Sequence, residues 1–462
     1  MTRRLLWMAV LIGLIFCPDL VTLRAGEQVN TLKWHKGSET VDANVHDWNV
    51  IQLLEHVAES TGWNVFVQPG IELKASAKFE GLASGDALHR LLGDVSFAVL
   101  PDKTGLPNRL YVFKTTRNDA TLRVRAPELP ASAKPIPNQL VVTLKPDSKV
   151  KIDELAKSLG AKVIGRSESQ NTYLLQFEDQ AATDSARTEL SSNPDVQSVD
   201  SNFTIDPPPS LAGGGATAAQ PQLTPATNNN NCQLVVGLID TATQSLGTNL
   251  DVFMRPSIKV AGDYTPDPTQ VTHGTAMATA ILQMLQKKTG GSTSVRIQPV
   301  DVYGSGASTT TFDVANGIIQ AVNKGANIIN LSLGSAGDSS FLHDTITQVS
   351  QRGIPIYAAA GNQPVTTATY PAAYPEVVAV TASDSTGNIA PYANRGGFVQ
   401  MMAPGDELVP FGGQTYFVQG TSTATAFASG MAAGLADKQH ACADQAQALL
   451  KQSASGTTKL GQ

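Results

Sequence analysis

Between residues 233 and 383 the chain repeats one pattern: a short run that is apolar at nearly every position, then a longer stretch with helical spacing. The runs are "QLVVGLID", "SVRIQPVDVYG", "GANIINLSLG", "GIPIYAAAGN" and "EVVAVTASD". A strand with one solvated face alternates apolar and polar residues, whereas a strand covered on both faces has no need to. The pattern therefore predicts an α/β domain with a doubly wound, mostly parallel sheet. In such folds functional groups collect at the carboxyl ends of the strands.

Two smaller units precede it. Over residues 138–206, "NQLVVTLKP" reads as a strand, "KIDELAKSLGA" as a helix, and "KVIG" and "TYLLQFED" as strands. "DSARTELSSNPDVQSV" then adds a helix and the approach to a last strand ending at "FTID". The order β-α-β-β-α-β fits a compact ferredoxin-like α+β domain, with bounds at 136–206. Over residues 40–115, "VHDWNVIQLLEHVAESTGWNVFVQ" places Val50, Leu53, Leu54 and Val57 on one helical face and runs into a strand. "SGDALHRLLGDVSFAVLP" repeats that order and "NRLYVFKT" adds a strand, which gives a small α+β unit over 27–130. His46, His56 and His89 lie in or beside its helices and read as surface or packing residues.

The joints differ in composition. "APELPASAKPIP" is a Pro-rich connection. Residues 207–231, "PPPSLAGGGATAAQPQLTPATNNNN", form a Pro/Gly/Ala/Asn tract with little to bury, and the expectation is a flexible linker open to proteolysis.

The chain has 462 residues, 42% hydrophobic and 16% charged, which fits globular domains with real cores. A net charge of −6 gives no basic footprint for nucleic acid. At the N-terminus, Arg3 and Arg4 precede an apolar run from Leu5 to Phe16, short for a membrane span and of the length of a secretory signal. Residues 1–26 are therefore expected to be a signal peptide, with an uncleaved anchor as the other reading, and the protein to be exported to the periplasm or beyond the cell. The bulky Phe16 argues against Cys17 as a lipid-carrying cysteine. Cys232 and Cys442 remain, and in an oxidising compartment they either pair around the C-terminal domain or stand as separate thiols.

Four residues sit at strand ends or helix entries of the C-terminal domain. Asp240 ends "LVVGLID", where a carboxylate can hold a histidine tautomer; alone it would read as a helix cap. His273 opens the helical run "HGTAMATAILQML" beside Gly274. Asn362 ends "YAAAGN", and its amide is an oxyanion donor or an ordinary turn residue. Ser422 stands in "GTSTATAFASG", either a nucleophile or one hydroxyl in a small-residue packing seam.

Together, "GLIDT", "HGTAMA", "NIINLSLG", "AAAGN", "YPAAYPEVVAVTASD" and "GTSTATAFASG" resemble the signature blocks of subtilisin-like serine proteases, in the order Asp, His, Asn, Ser. The resemblance spans roughly residues 232–453. It implies a triad of Asp240, His273 and Ser422, with Asn362 as oxyanion donor beside the Ser422 backbone N–H. It also implies that Ser332, Leu333 and Gly334 pair with extended substrate backbone. Residues 138–206 then resemble the family's inhibitory propeptides, which makes the chain's own second unit an intramolecular inhibitor. The first unit, through its two-helix pattern and "ALHRLL", resembles the short N-terminal domain of secretins and TonB-dependent receptors and implies an envelope protein partner.

Three positions depart from the family pattern: Thr423 stands for Met, Ala426 for Pro and Ala242 for Gly. Alanine is a strong helix former, so the Ser422 helix should continue through Ala426. There is no acidic cluster of calcium-loop type, and no metal or cofactor is implied; Asp384 and Asp406 read as loop residues. The expected activity is therefore a serine endopeptidase acting on proteins or peptides, made as a self-inhibited zymogen. Two other classes were weighed against it. One is a non-catalytic envelope peptide-binding protein on a degenerate protease fold. The other is an esterase, which the lack of a G-x-S-x-G elbow at Ser422 disfavours.

Overall fold

A computed structural model describes residues 31–35, 40–68, 71, 73–100, 108–120, 122–124, 134–206, 212–214, 218–227 and 232–455. The signal-peptide reading of residues 1–26 lies outside them.

The first unit holds β1 (Thr31–His35), β2 (Thr40–Asn49), α1 (Val50–Thr61), β3 (Asn64–Val67), β4 (Lys74–Ala83), α2 (Ser84–Leu92), β5 (Ser96–Leu100), β6 (Arg109–Phe113) and β7 (Leu122–Val124). Asn49 caps α1 by accepting from the Ile51 N–H at 2.8 Å. The apolar face of that helix, Val50, Leu53, Leu54 and Val57, is buried against Val65, Leu110 and Val112. Two sheets result, β1-β2-β4 and β5-β6-β3-β7. His56 Nε2–H donates to the Leu32 carbonyl at 2.9 Å, and the His89 ring meets Phe97 edge-on.

The second unit runs β8 (Pro135–Leu144), α3 (Ile152–Ser158), β9 (Lys162–Ser167), β10 (Thr172–Gln176), α4 (Gln180–Ser192) and β11 (Val196–Ile205). Its strands pair antiparallel in the order β11-β8-β10-β9, the ferredoxin-like arrangement. Along β8 side chains alternate between faces. Leu140, Val142 and Leu144 pack with Leu175 and Leu190 under the unit's own helices. Val141 on the opposite face joins Leu174 in the core of the C-terminal domain. Both faces are thus covered, which is why Leu140, Val141 and Val142 form an unbroken apolar run.

The C-terminal domain is built from β14 (Val235–Asp240), α6 (His273–Thr289), β17 (Arg296–Asp301), α7 (Thr311–Asn323), β19 (Ile328–Leu331), α8 (Ser340–Gln351), β20 (Ile356–Ala359), β21 (Val378–Ser383), β22 (Met401–Pro404), α9 (Thr421–Lys438) and α10 (Ala443–Ser455). Shorter pieces complete it: β12 (Ala212–Gly214), β13 (Thr224–Pro225), α5 (Thr248–Asp251), β15 (Ile258–Lys259), β16 (Ser292–Thr293), β18 (Thr309–Thr310), β23 (Asp406–Phe411) and β24 (Gln414–Gln419). Seven parallel strands lie in the order β15-β17-β14-β19-β20-β21-β22. One face carries α6 and α9 over Val236, Leu238 and Val380; the other carries α7 and α8 over Ile239, Ile329 and Leu331. α9 is continuous through the buried Ala426, as the helix propensity of alanine requires.

The described parts of the 207–231 tract, residues 212–214 and 218–227, depart from the expectation of a free linker. Within the tract β12 pairs antiparallel with β24, and β13 pairs parallel with β16. The Ala218 N–H donates to Thr415 Oγ1 at 3.0 Å, and Leu223 is buried in the core beneath α6. One leucine and a few backbone hydrogen bonds suffice to dock a tract whose composition alone signals disorder.

Cys232 and Cys442 form a disulfide, with Cα atoms 5.2 Å apart. The bridge ties the start of β14 to the α9–α10 junction and closes a loop of 210 residues around the sheet. Cross-linking ends so far apart removes conformational freedom from the unfolded chain, a gain of about 2–4 kcal/mol. Cys442→Ser should lower the thermal midpoint under oxidising conditions. Reductant should lower that of the wild type to the same value and leave the variant unchanged, as read by circular dichroism.

Candidate active site

β14 and α6 meet at a buried acid–imidazole pair. Asp240 closes β14 at the carboxyl edge of the sheet, and His273 is the first residue of α6. The Nδ1–H of His273 donates to both carboxylate oxygens of Asp240, at 2.8 and 3.0 Å. Both side chains are almost wholly shielded, at 4% and 2% exposure, so water does not compete for this bond. The Thr241 N–H also donates to Asp240 Oδ1, at 2.7 Å. Occupying Nδ1 fixes the tautomer and leaves Nε2 as the free end of the ring.

The start of α6 is held as tightly. Thr272 caps it by accepting from the Thr275 N–H at 3.2 Å, and donates its own hydroxyl to the Ala242 carbonyl at 2.6 Å. Ala242 thus takes part in the turn in place of the family's glycine. Gly274 is required by space: a Cβ there would lie 2.2 Å from the Thr241 carbonyl oxygen.

Ser422 is the second residue of α9, two positions after the N-cap Gly420, whose φ is +155° and whose missing Cβ would stand 3.1 Å from Asn362 Nδ2. Asn362 Oδ1 accepts from the Thr421 N–H at 2.8 Å and from the Thr421 hydroxyl at 3.0 Å. Holding the amide oxygen this way leaves its NH2 group as the donor end, beside the N-terminal turn of α9. That turn adds unsatisfied backbone N–H groups and the positive pole of the helix. A position near both donors suits a developing oxyanion.

The Ser422 hydroxyl donates to the Ser332 carbonyl oxygen at 3.2 Å. No hydrogen bond joins it to His273 in this structure, in which the hydroxyl is turned toward Ser332. Ser332 and Leu333, expected to pair with substrate, follow β19 and are buried. Gly334 lies against Thr369 Cγ2 and the Tyr370 carbonyl, each 3.0 Å from where its Cβ would stand. Asp384 closes a loop turn, accepting from the N–H groups of Thr386 and Asn388. Asp406 is the first residue of β23, where it accepts from Tyr392 and Gln419.

One group here gave no sequence signal. Asp301 ends β17 in register with Asp240 on the neighbouring strand. Its Oδ1 accepts from the N–H groups of Tyr303 and Gly304, and its buried Oδ2 has no partner among the described residues. Burial, with the Asp240 charge adding, holds this carboxyl above the usual carboxylate range. Thr423 is also buried with its hydroxyl unpartnered.

The second unit reaches the neighbouring helices. Asn202 Oδ1 accepts from the Phe312 N–H at 3.1 Å and the Thr311 hydroxyl at 3.0 Å, capping α7. Asp200 Oδ2 accepts from the Phe341 N–H at 2.9 Å and the Ser339 hydroxyl at 3.0 Å, at the start of α8. Carboxylate and amide oxygens at helix N-termini are favourable on both hydrogen-bonding and dipole grounds. Phe203, between them, lies against Gly337, where a Cβ would come within 2.4 Å of the ring. The tail of β11 then pairs with β18, Ile205 opposite Thr309, and the Asp206 carbonyl accepts from the Tyr303 hydroxyl at 3.1 Å.

The subtilase family pattern matches residues 231–462, and that of the fervidolysin N-terminal prodomain matches residues 124–202. The chain is 32% identical over 209 residues to the thermophilic serine proteinase of Bacillus sp. (strain AK1), covering 44% of this chain and 52% of that protein. It is 33% identical over 211 residues to subtilisin DY of Bacillus licheniformis, covering 44% of this chain and 76% of that protein. The chain spans about half the length of the first curated relatives it matches. Fervidolysin from Fervidobacterium pennivorans aligns in structure with a TM-score of 0.51 at 18% identity, over 66% of this chain and 55% of that one. The epidermin leader peptide processing serine protease of Staphylococcus aureus aligns at 0.50 and 16%, over 69% and 92%. These two likenesses speak to fold, a parallel α/β domain. On a family pattern spanning half its length and a one-third identity to subtilisin DY, the chain belongs to the subtilase family.

Proposed function

We propose that this chain is an exported serine endopeptidase, made as a precursor inhibited by its own second unit. The observation that carries the reading is the buried Asp240–His273 pair, set at the head of the helix that packs against the Ser422 helix. In the proposed reaction Ser422 attacks the peptide carbonyl and passes its proton to His273 Nε2. His273 then protonates the leaving amine, and water resolves the acyl-enzyme by the same route. Asp240 orients the imidazole and stabilises its cation. Asn362 Nδ2–H and the Ser422 backbone N–H receive the oxyanion. Ser332, Leu333 and Gly334 are proposed to line extended substrate once the second unit leaves.

The domain reading is a signal peptide over 1–26, a docking-like unit over 27–130, an inhibitory unit over 136–206, a processing tract over 207–231 and a catalytic domain over 232–462. Substrates are proteins or peptides. The first unit is read as an envelope docking module, and the site of action as periplasmic or extracellular. Among the described residues no helix is long and apolar enough to cross a membrane.

Intact mass tests the reading. The wild-type precursor is expected to cut itself between Asp206 and Cys232, and Ser422→Ala to remain whole; a whole wild-type chain under the same conditions contradicts it. In the processed enzyme, Asp240→Asn should lower kcat by roughly 10⁴-fold through loss of the tautomer, and Asn362→Ala by about 10²–10³-fold. Both should leave KM on a peptide anilide nearly unchanged. Asp200→Ala should weaken inhibition by the second unit by roughly fivefold, the effect of one lost helix cap, seen as faster onset of activity after processing.

A further inference from the structure

The Ser422 helix is tied to the sheet at two points by one buried amide. Ser332 Oγ–H donates to the Ser422 carbonyl oxygen at 3.1 Å, and Asn330 Nδ2–H donates to Ser332 Oγ at 2.9 Å. The other end of the same amide, Asn330 Oδ1, lies 2.9 Å from Ser429 Oγ and accepts its proton, which also has the Ala426 carbonyl oxygen of the same helix within reach at 3.1 Å. Ser422 and Ser429 lie about two turns apart, on the same face of α9. Asn330, on β19, and Ser429 are wholly buried, and Ser332 nearly so.

A small-residue seam permits close packing but does not by itself choose a register. Directly beside Ser429 stand Ala428 and Gly430, small residues with few shape features of their own, and the buried Phe427 and Met431 lie one position further out on either side. A hydrogen bond is directional, and a buried polar group left unpaired is costly, so a two-point tie selects one register.

We infer that Ser429, acting through Asn330, is a positioning residue for the proposed nucleophile, and that its bond to Asn330 sets the rotation and height of α9 that place Ser422. This rests on the endopeptidase reading. Without the Ser429 hydroxyl, Asn330 Oδ1 loses its partner. The amide is then free to turn, Ser332 loses its donor, and the Ser422 carbonyl at the head of α9 is no longer fixed. Extended substrate is proposed to pair with the backbone of Ser332, Leu333 and Gly334, whereas the Ser429–Asn330 tie reaches only the Ser332 hydroxyl, so KM should change less than the chemical step.

The test expresses the full-length chain of wild type, Ser429→Ala and Ser429→Cys and uses the self-processed product of each. Active sites are titrated with a fluorophosphonate, and kcat and KM are then measured per titrated site on a peptide anilide. Ser429→Ala is expected to show about a tenfold lower kcat and labelling rate per site, with KM within twofold of wild type. Ser429→Cys, nearly isosteric with a weaker donor, should lie between the two and reads the same direction if the alanine variant does not accumulate. A wild-type kcat and labelling rate per site in the variants overturns the inference and leaves the endopeptidase reading standing, whatever happens to the thermal midpoint. A wild-type protein that takes no label overturns both.

Discussion

The close approach of α6 and α9 is the constraint on which the site depends. His273 opens one helix and Ser422 stands at the head of the other, so the distance between proposed base and nucleophile is an interhelical distance. Small side chains make that distance short. A Cβ at Gly430 would lie 3.1 Å from the Ile281 carbonyl oxygen, and one at Gly434 would lie 2.9 Å from Lys288 Cβ. Larger residues at either position would push the helices apart, and with them the two reacting groups. The run "GTSTATAFASG" therefore serves packing and chemistry together, and neither role is separable from the other.

Around that seam the sheet supplies polar ends at fixed positions. β14 delivers Asp240 to His273, β19 delivers Asn330 and Ser332 to α9, and the turn after β20 delivers Asn362 to Thr421. Asp240, Asn330 and Ser332 are buried and paired, and the half-buried Asn362 is held through its amide oxygen. The second unit completes the arrangement from outside. Its last strand leaves Asp200 and Asn202 at the starts of α8 and α7, groups that would otherwise face solvent with unsatisfied N–H donors. Ordinary helix capping thus joins the apolar face of Val141 and Leu174 and the β11–β18 pairing in docking the second unit.

Much of this was legible in the sequence, for physical reasons. A strand buried on both faces must be apolar throughout, so the parallel sheet announced itself in "LVVGLID" and "NIINLSLG". The β-α-β-β-α-β order followed from alternating helical and strand periods, and the continuous run in β8 has its cause in two covered faces. What stayed hidden depends on contacts between distant positions. β2 and β4 do alternate polar and apolar residues in "TVDANV" and "KASAKF", but the runs are short, several of their apolar members are alanine, and β2 leads straight into the stronger helical period of α1. The docking of residues 212–227 depends on pairing with β16 and β24 and on the single Leu223. The Asn330–Ser429 tie joins positions nearly a hundred residues apart, and nothing local marks either one. The turn of the Ser422 hydroxyl toward Ser332 is a rotamer choice, which no sequence pattern encodes.

The central claim is that Ser422 is the nucleophile of the folded enzyme. The most direct measurement is to treat the self-processed protein with a fluorophosphonate and locate the adduct by tandem mass spectrometry of its peptides. The account predicts one phosphonyl group per chain, on Ser422, and none after heat denaturation. An adduct on another serine, or none on folded protein freed of its second unit, would contradict it.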